Sequence, residues 1–562
     1  MKIKSLILTL GLALPLASRA ELKLPAIIGD NMVLQQKQTN PIWGWDAPGT
    51  VVTVKFGAQT VTGKADAKGK WTVKLDPVPA NAKPATLSIK GTTARELQNI
   101  LVGEVWVCSG QSNMGFTVDR ALDADLEIAM AKYPNIRLIS VPQVGTQEIK
   151  DNFEGKWEPC SPQNVGPFTA VGFFFGRILH ETLDVPVGLI DDAWGGSAAE
   201  AWVRRDVLEK DKRFADLMAK WKKTEAESTP AAFEKQMADY KVKLDAWTAA
   251  RKEALKNKQP LPPNPPRAPR DPMTGNQRPG NIYAGVLHPT IGYGIRGVVW
   301  YQGESNAGRA YEYNYLFPLM IQHWRDEWRQ GDFSFYWVQL ADFKPEQPEP
   351  GDSDWAELRE AQTKTMGLLK NTGQAVIIDL GEANDIHPRN KRDVAERLAR
   401  WALVKDYGLK MPYRSPELKS LEVQGNKAVV SIDCFGSTLR TVDVGEARGF
   451  AICGEDKKWV WADAKIVGPD KIEVSSKHVA KPVAVRYAWA DNPVCNVYSK
   501  EGLPLTPFRT DDFPLMSKIN AEKAAAAQKE AETRKQQVEA RRKQAEEIRK
   551  AKPVPAKPVE KK

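Results

Sequence analysis

Between Leu101 and Asp406 short apolar segments alternate with helical ones, and few folds accept that pattern. The segments are Val105–Cys108, Ile136–Val141, Pro186–Ile190, Gly297–Tyr301, Phe333–Gln339 and Ala375–Asp379. Helical periodicity fills Ala170–Leu183, Tyr315–Trp328, Trp355–Leu369 and Asp393–Asp406. Strands that are apolar throughout and separated by helices belong in a parallel sheet covered on both faces. A sheet of that kind carries its site beyond the carboxyl ends of the strands. Ser112, Gly195–Gly196, Gly303–Asn306 and Asp385–His387 all follow directly on such segments.

The first segment runs Glu104-Val-Trp-Val-Cys-Ser-Gly-Gln-Ser-Asn-Met114, a buried strand entering a polar turn that presents Ser112. Mounting a serine where a strand gives way to a helix is one way to expose a nucleophile. The hydrolase elbow with glycines on both sides is not matched, because Gly110 is followed at the second site by Met114. Taken alone, a Gly-Gln-Ser-Asn turn reads as structural, since Ser and Asn favour turns. His387 is the base candidate: it precedes Pro388, which favours extended backbone at His387. In an extended segment side chains two apart share a side, so Asp385 is expected to reach the imidazole. The other four histidines (180, 288, 323 and 478) have no acid at useful spacing and form no metal-ligand pattern.

Gly-Gln-Ser-Asn-Met, with Trp194-Gly-Gly-Ser197, Tyr301-Gln-Gly-Glu-Ser-Asn306 and Asp385-Ile-His-Pro388, resembles the sequence blocks of the SGNH/GDSL hydrolases. The form is that of the sialate O-acetylesterases and related carbohydrate acetylesterases. Arg486-Tyr-Ala-Trp489 and Gly502–Thr510 extend the resemblance to nearly the whole chain apart from the tail. It implies a three-layer α/β/α core and a serine esterase with Ser112 as nucleophile, His387 as base and Asp385 as orienting acid. The oxyanion would be held by the backbone N–H groups of Ser112 and Gly196 and by the Asn306 side chain, with Gln111, Gln302 and Glu304 in support. The family's usual spacing would place the acid at position 384, which is Asn here, so Glu304 is the second candidate for that role. No metal or organic cofactor is expected. The implied substrate is an O-acetylated carbohydrate, sialic acid first and acetylated xylan second. An inactive carbohydrate-binding protein is the alternative from another class, and the complete Ser112, His387 and Asn306 set argues against it.

At 562 residues the chain needs several cores, at about 150 residues per domain. Residues 21–98 are read as an N-terminal β-sandwich-like module, 99–409 as the catalytic domain and 410–515 as a second β module. Residues 205–280, charged and helical and then proline-rich, are read as a helical hairpin inserted into the catalytic domain as surface decoration. Residues 1–20, with Lys2 and Lys4 before the apolar run Leu6–Leu16 and Ser18-Arg19-Ala20 after it, have the form of a secretory signal peptide. The protein is therefore expected to be exported, periplasmic or secreted, without a membrane span.

Lys2, Lys4 and Arg19, together with fourteen Lys/Arg against seven Glu in residues 516–562, account for the whole net charge of +10. The remainder is neutral and gives no reason to expect nucleic acid. The tail 516–562 is expected to be a solvated helix or disordered. Five cysteines are too few for a disulfide scaffold. Three of them, Cys434, Cys453 and Cys495, leave room for one disulfide in the second β module.

Overall fold

The computed structural model describes residues 21–551; residues 1–20, read above as a signal peptide, and the proline-rich end of the tail lie outside the described residues. A parallel sheet forms its centre. The strand order is Thr372–Ala375, Ser334–Val338, Gly297–Tyr301, Ala94–Gly110, Val187–Asp191 and Tyr133–Ser140, with the short antiparallel Glu158–Cys160 at the edge. Register is tight around the central strand, where Tyr301 pairs with Gly110 and Asp191 with Cys108. The segments carrying Ser112, Trp194–Ser197 and Gly303–Asn306 therefore leave the sheet side by side.

Alternation along the central strand explains why both faces are covered. Val105 and Val107 enter one core with Leu316, Phe317 and Trp324 of helix Ala310–Trp328 and with Trp355 and Leu358 of helix Asp354–Leu368. Trp106 and Cys108 enter the opposite core, with Val171 and Phe174 of helix Ala170–Leu183 and Leu398 of helix Lys391–Lys405. Thr169 caps the first of these helices, accepting from Gly172 N at 3.2 Å, while its hydroxyl donates to Met114 O at 2.6 Å. One cap thus anchors the turn just after Ser112.

Several expectations change. No break occurs at residue 98, because Ala94–Gly110 is one seventeen-residue strand that pairs with the N-terminal strands at its start and with the catalytic sheet at its end. Buried Glu104 clamps the joint, accepting from Gln35, Gln36 and Arg296. The last parallel strand is Thr372–Ala375, three residues ahead of the apolar run 375–379. Val376 and Ile378 leave the sheet to pack into the core of the second β module. None of the five cysteines forms a disulfide. Cys453 lies within a strand paired on both sides, the Cys434 thiol faces the Ile432 and Pro469 carbonyls, and Cys495 lies beside Tyr487.

The insertion is more than decoration. Leu208, Phe214, Leu217 and Met218 are buried in the main core, and Glu225 of helix Ala215–Glu227 pairs with Arg205 and Arg278. The long helix Pro230–Lys256 lies on the surface, burying Ala254 alone, and the proline-rich return after it is exposed as well. The tail is helical from Met516 to Ala551. Its first turn is docked, with Glu357 accepting from Met516 N and Ser517 N. Among the described residues no helix is long and apolar enough to cross a membrane.

Candidate active site

Gly110 ends the central strand at φ +136°, and a Cβ there would stand 2.3 Å from Tyr301 O, so only glycine fits. Gln111 N then donates to Tyr301 O at 2.9 Å, and Met114 N and Gly115 N fold back onto Gln111 O. Ser112 sits at the crest of this turn. His387 Nε2 lies 2.8 Å from Ser112 Oγ, hydrogen-bond range for a serine and the base that would take its proton.

Asp385 reaches His387 differently from the extended geometry expected. Residues 382–385 form a turn, and Asp385 Oδ1 accepts the backbone N–H of His387 at 2.9 Å. The same oxygen lies 3.6 Å from His387 Nδ1, and the Asp385 side chain is 57 % exposed. The carboxylate thus caps its own turn first and holds the imidazole more loosely. Burial pulls His387 below the ordinary histidine range; Lys391 and Arg120 add to this, and Asp385 opposes it. The base stays neutral as a result.

Glu304 does not touch His387. Half-buried, it accepts from Asn113 Nδ2 at 2.6 Å, and desolvation raises its pKa. Asn113 is a hub that local sequence gave little reason to single out. Its amide also donates to Ile386 O at 3.0 Å, and its Oδ1 accepts from Lys391 Nζ at 2.6 Å. The neighbour of Ser112 is thereby tied to the neighbour of His387 and to the Gly303–Asn306 loop. Lys391, stripped of water, is pulled down to about 7.

The loop after Val187–Asp191 is pinned to the nucleophile turn by Trp194 N donating to Gly110 O at 2.9 Å. Gly196 adopts φ +72°, and the Gly195 and Gly196 carbonyls turn to accept from Asn276 Nδ2, at 2.6 Å, and Gln277 Nε2. With those carbonyls engaged, the N–H groups of Ser112 and Gly196 have no protein acceptor among the described residues. Asn276 and Gln277 close the insertion, and sequence spacing offered no signal for them.

Asn306 is held from three sides. Its Oδ1 accepts from Gln302 Nε2 at 2.7 Å and Ala199 N at 3.0 Å, and its Nδ2 donates to Glu200 Oε2 at 2.9 Å. Glu200, buried and paired with Arg309, is a further residue missed from sequence. One hydrogen of the Asn306 amide remains for a ligand. Gln111 Oε1 lies 3.4 Å from Ser305 N and 3.5 Å from Gly303 N, and Gln302 Nε2 donates to Ser197 O at 3.1 Å. Both glutamines thus lace the three loops together. His323 does have an acid nearby, Glu327 one helical turn on at 3.7 Å. Burial takes that imidazole down to about 4, and it lies in the packed core beside Tyr283.

A serine and imidazole at hydrogen-bond distance, beside free N–H donors on the strand ends of a three-layer α/β/α sheet, define an ester hydrolase of the SGNH type. The comparisons narrow the class. Residues 284–402 match the family model described as carbohydrate esterase, sialic acid-specific acetylesterase. A crystal structure of a carbohydrate acetylesterase from Xanthomonas citri superposes with a TM-score of 0.73 at 35% identity, covering 88% of this chain and 100% of that one. The sialate O-acetylesterase of Mus musculus is 29% identical over 536 residues, 86% of this chain and 93% of its own. That of Homo sapiens is 28% identical over 554 residues, 89% and 96% respectively. The chain belongs to the carbohydrate acetylesterases, and it is a carboxylic ester hydrolase.

Proposed function

We propose that this esterase removes O-acetyl groups from sialic acid by way of a Ser112 acyl-enzyme. The observation that carries the reading is the 2.8 Å contact between Ser112 Oγ and His387 Nε2. His387 takes the hydroxyl proton as Oγ attacks the acetyl carbonyl. The oxyanion that forms meets Ser112 N–H, Gly196 N–H and the remaining Asn306 amide hydrogen. His387 then returns its proton to the departing sugar oxygen. A water molecule, deprotonated by the same imidazole, releases acetate and restores the serine. Asp385 stabilises the imidazolium formed in each half. Sialic acid is placed before acetylated xylan because the family description and the mammalian relatives are named for it.

Acetate release from O-acetylated N-acetylneuraminic acid, measured beside acetylated xylan, tests the substrate. A higher kcat/KM on xylan would overturn sialic acid as substrate and leave the esterase chemistry standing. The protein is further proposed to be exported by its first twenty residues. Expression of the full chain in a bacterium followed by fractionation tests this: mature protein lacking residues 1–20 outside the cytoplasm is expected, and uncleaved cytoplasmic protein contradicts it.

A further inference from the structure

The wall of the site beside His387 is cationic beyond what catalysis needs. Phe116, buried at the base of that wall, stacks on the His387 imidazole at 6.3 Å and 24°. The same ring carries two cations, Lys391 Nζ at 4.8 Å and the Arg120 guanidinium at 4.5 Å from its centroid. Lys391 is buried and faces Glu304 through Asn113. Arg389, the next cation along the rim, spends its guanidinium on the carbonyls of Arg120 and Ala121 and its backbone N–H on Glu382. Of the acids nearby, Asp119 accepts from the Thr117 hydroxyl and Asp385 is turned to His387.

Arg120 is different. It is exposed, and its side chain makes no hydrogen bond or ion pair to the protein among the described residues. Stacking on Phe116 nevertheless holds it at the edge of the catalytic pair, close enough for its charge to act on both His387 and Lys391. A fixed guanidinium with a free donor fork is suited to a carboxylate.

We propose that Arg120, seated on Phe116, is a carboxylate-binding subsite that selects acidic sugars, so that the substrate's acid group is paired with Arg120 while its acetyl group lies over Ser112. The proposal rests on the esterase reading above and adds the group by which substrate is chosen. Sialic acid and the uronic acids of plant polysaccharide share that chemistry.

The test compares acetate release from O-acetylated N-acetylneuraminic acid with release from its methyl ester, in the wild type and in Arg120→Gln and Arg120→Lys. O-acetylated glucuronic acid and its methyl ester form a parallel pair. Each pair shares the same serine, histidine and oxyanion donors, so effects on the machinery cancel in the ratio of kcat/KM. The wild type is expected to favour the free acid of at least one pair by roughly tenfold or more, as for a charge-assisted hydrogen bond. Arg120→Gln should erase that preference, mainly through KM, and Arg120→Lys should keep part of it. Which pair shows the preference identifies the acid. No preference in the wild type, a preference that survives in Arg120→Gln, or an equal fall on acid and ester would each overturn the subsite. If the wild type also fails to cleave 4-nitrophenyl acetate, the esterase reading has failed first.

Discussion

Replacing Asp385 by Asn tests how much of the base's strength depends on a carboxylate held loosely and in water. The substitution is clean, because the Asn side-chain oxygen can still accept the His387 backbone N–H and preserve the turn. At 3.6 Å, the attraction between a carboxylate and an imidazolium is about 1 kcal/mol in water and about 5 kcal/mol at an effective dielectric of about 20. Asp385 is more than half exposed and the His387 side chain 30 % exposed, so the lower part of that range applies. About 1.5–3 kcal/mol of lost imidazolium stabilisation corresponds to a kcat lower by roughly tenfold to a hundredfold. That is less than the roughly 10⁴ reported by removal of a buried triad acid. Glu304→Gln should cost less than about tenfold, since Glu304 acts on Asn113 and Lys391 rather than on the imidazole. Steady-state rates on 4-nitrophenyl acetate at pH 7.5 decide between them. Asp385→Asn within twofold of wild type, with Glu304→Gln down more than a hundredfold, would refute the reasoning and move the acid to the Gly303–Asn306 loop.

Asn306→Ala should lower kcat by about 10²–10³ with little change in KM if its amide serves the oxyanion; a change confined to KM would make it a substrate-binding residue instead. Because burial leaves His387 below the usual value of about 6.5, the neutral base persists into mild acid. The acid limb of kcat/KM should therefore have its midpoint below pH 6.5, and a midpoint above it would contradict that environment. Excising residues 230–256 with a short linker should leave a folded, active enzyme, since that helix buries only Ala254. Cutting from residue 206 removes Leu208, Phe214, Leu217 and Met218 from the core, a loss of roughly 6–12 kcal/mol at about 1.5–3 kcal/mol per side chain. Soluble yield and thermal melting of the two deletions check the contrast, and equal behaviour would refute it.

The α/β centre and the strand-end placement of Ser112, Gly196 and Asn306 were legible because both depend on local pattern. Apolar runs of strand length, helices between them and polar turns after them are written in consecutive residues. What escaped depends on residues far apart in the chain. Asn113 gains its meaning only when Glu304, Ile386 and Lys391 arrive from two other loops. Asn276 and Gln277 end a segment whose charge and prolines read as surface, yet they orient the Gly195 and Gly196 carbonyls. The insertion itself looked solvated because its long helix is, while the four apolar residues that root it are outnumbered by charges. Asp385 was legible for an incomplete reason. Proline at 388 predicted extended backbone, whereas the aspartate's preference for accepting the N–H two residues on made a turn that brings the same oxygen to the imidazole.

The central claim is that Ser112 forms a covalent acyl-enzyme, and a fluorophosphonate that mimics the tetrahedral intermediate tests it directly. Intact-mass measurement after exposure of the wild type should show a single adduct, and peptide mapping should place it on Ser112 with esterase activity lost in step. Ser112→Ala should take up no label and His387→Ala should take it up far more slowly, while both melt close to wild type. A well-folded Ser112→Ala that retains labelling or wild-type kcat would contradict the account.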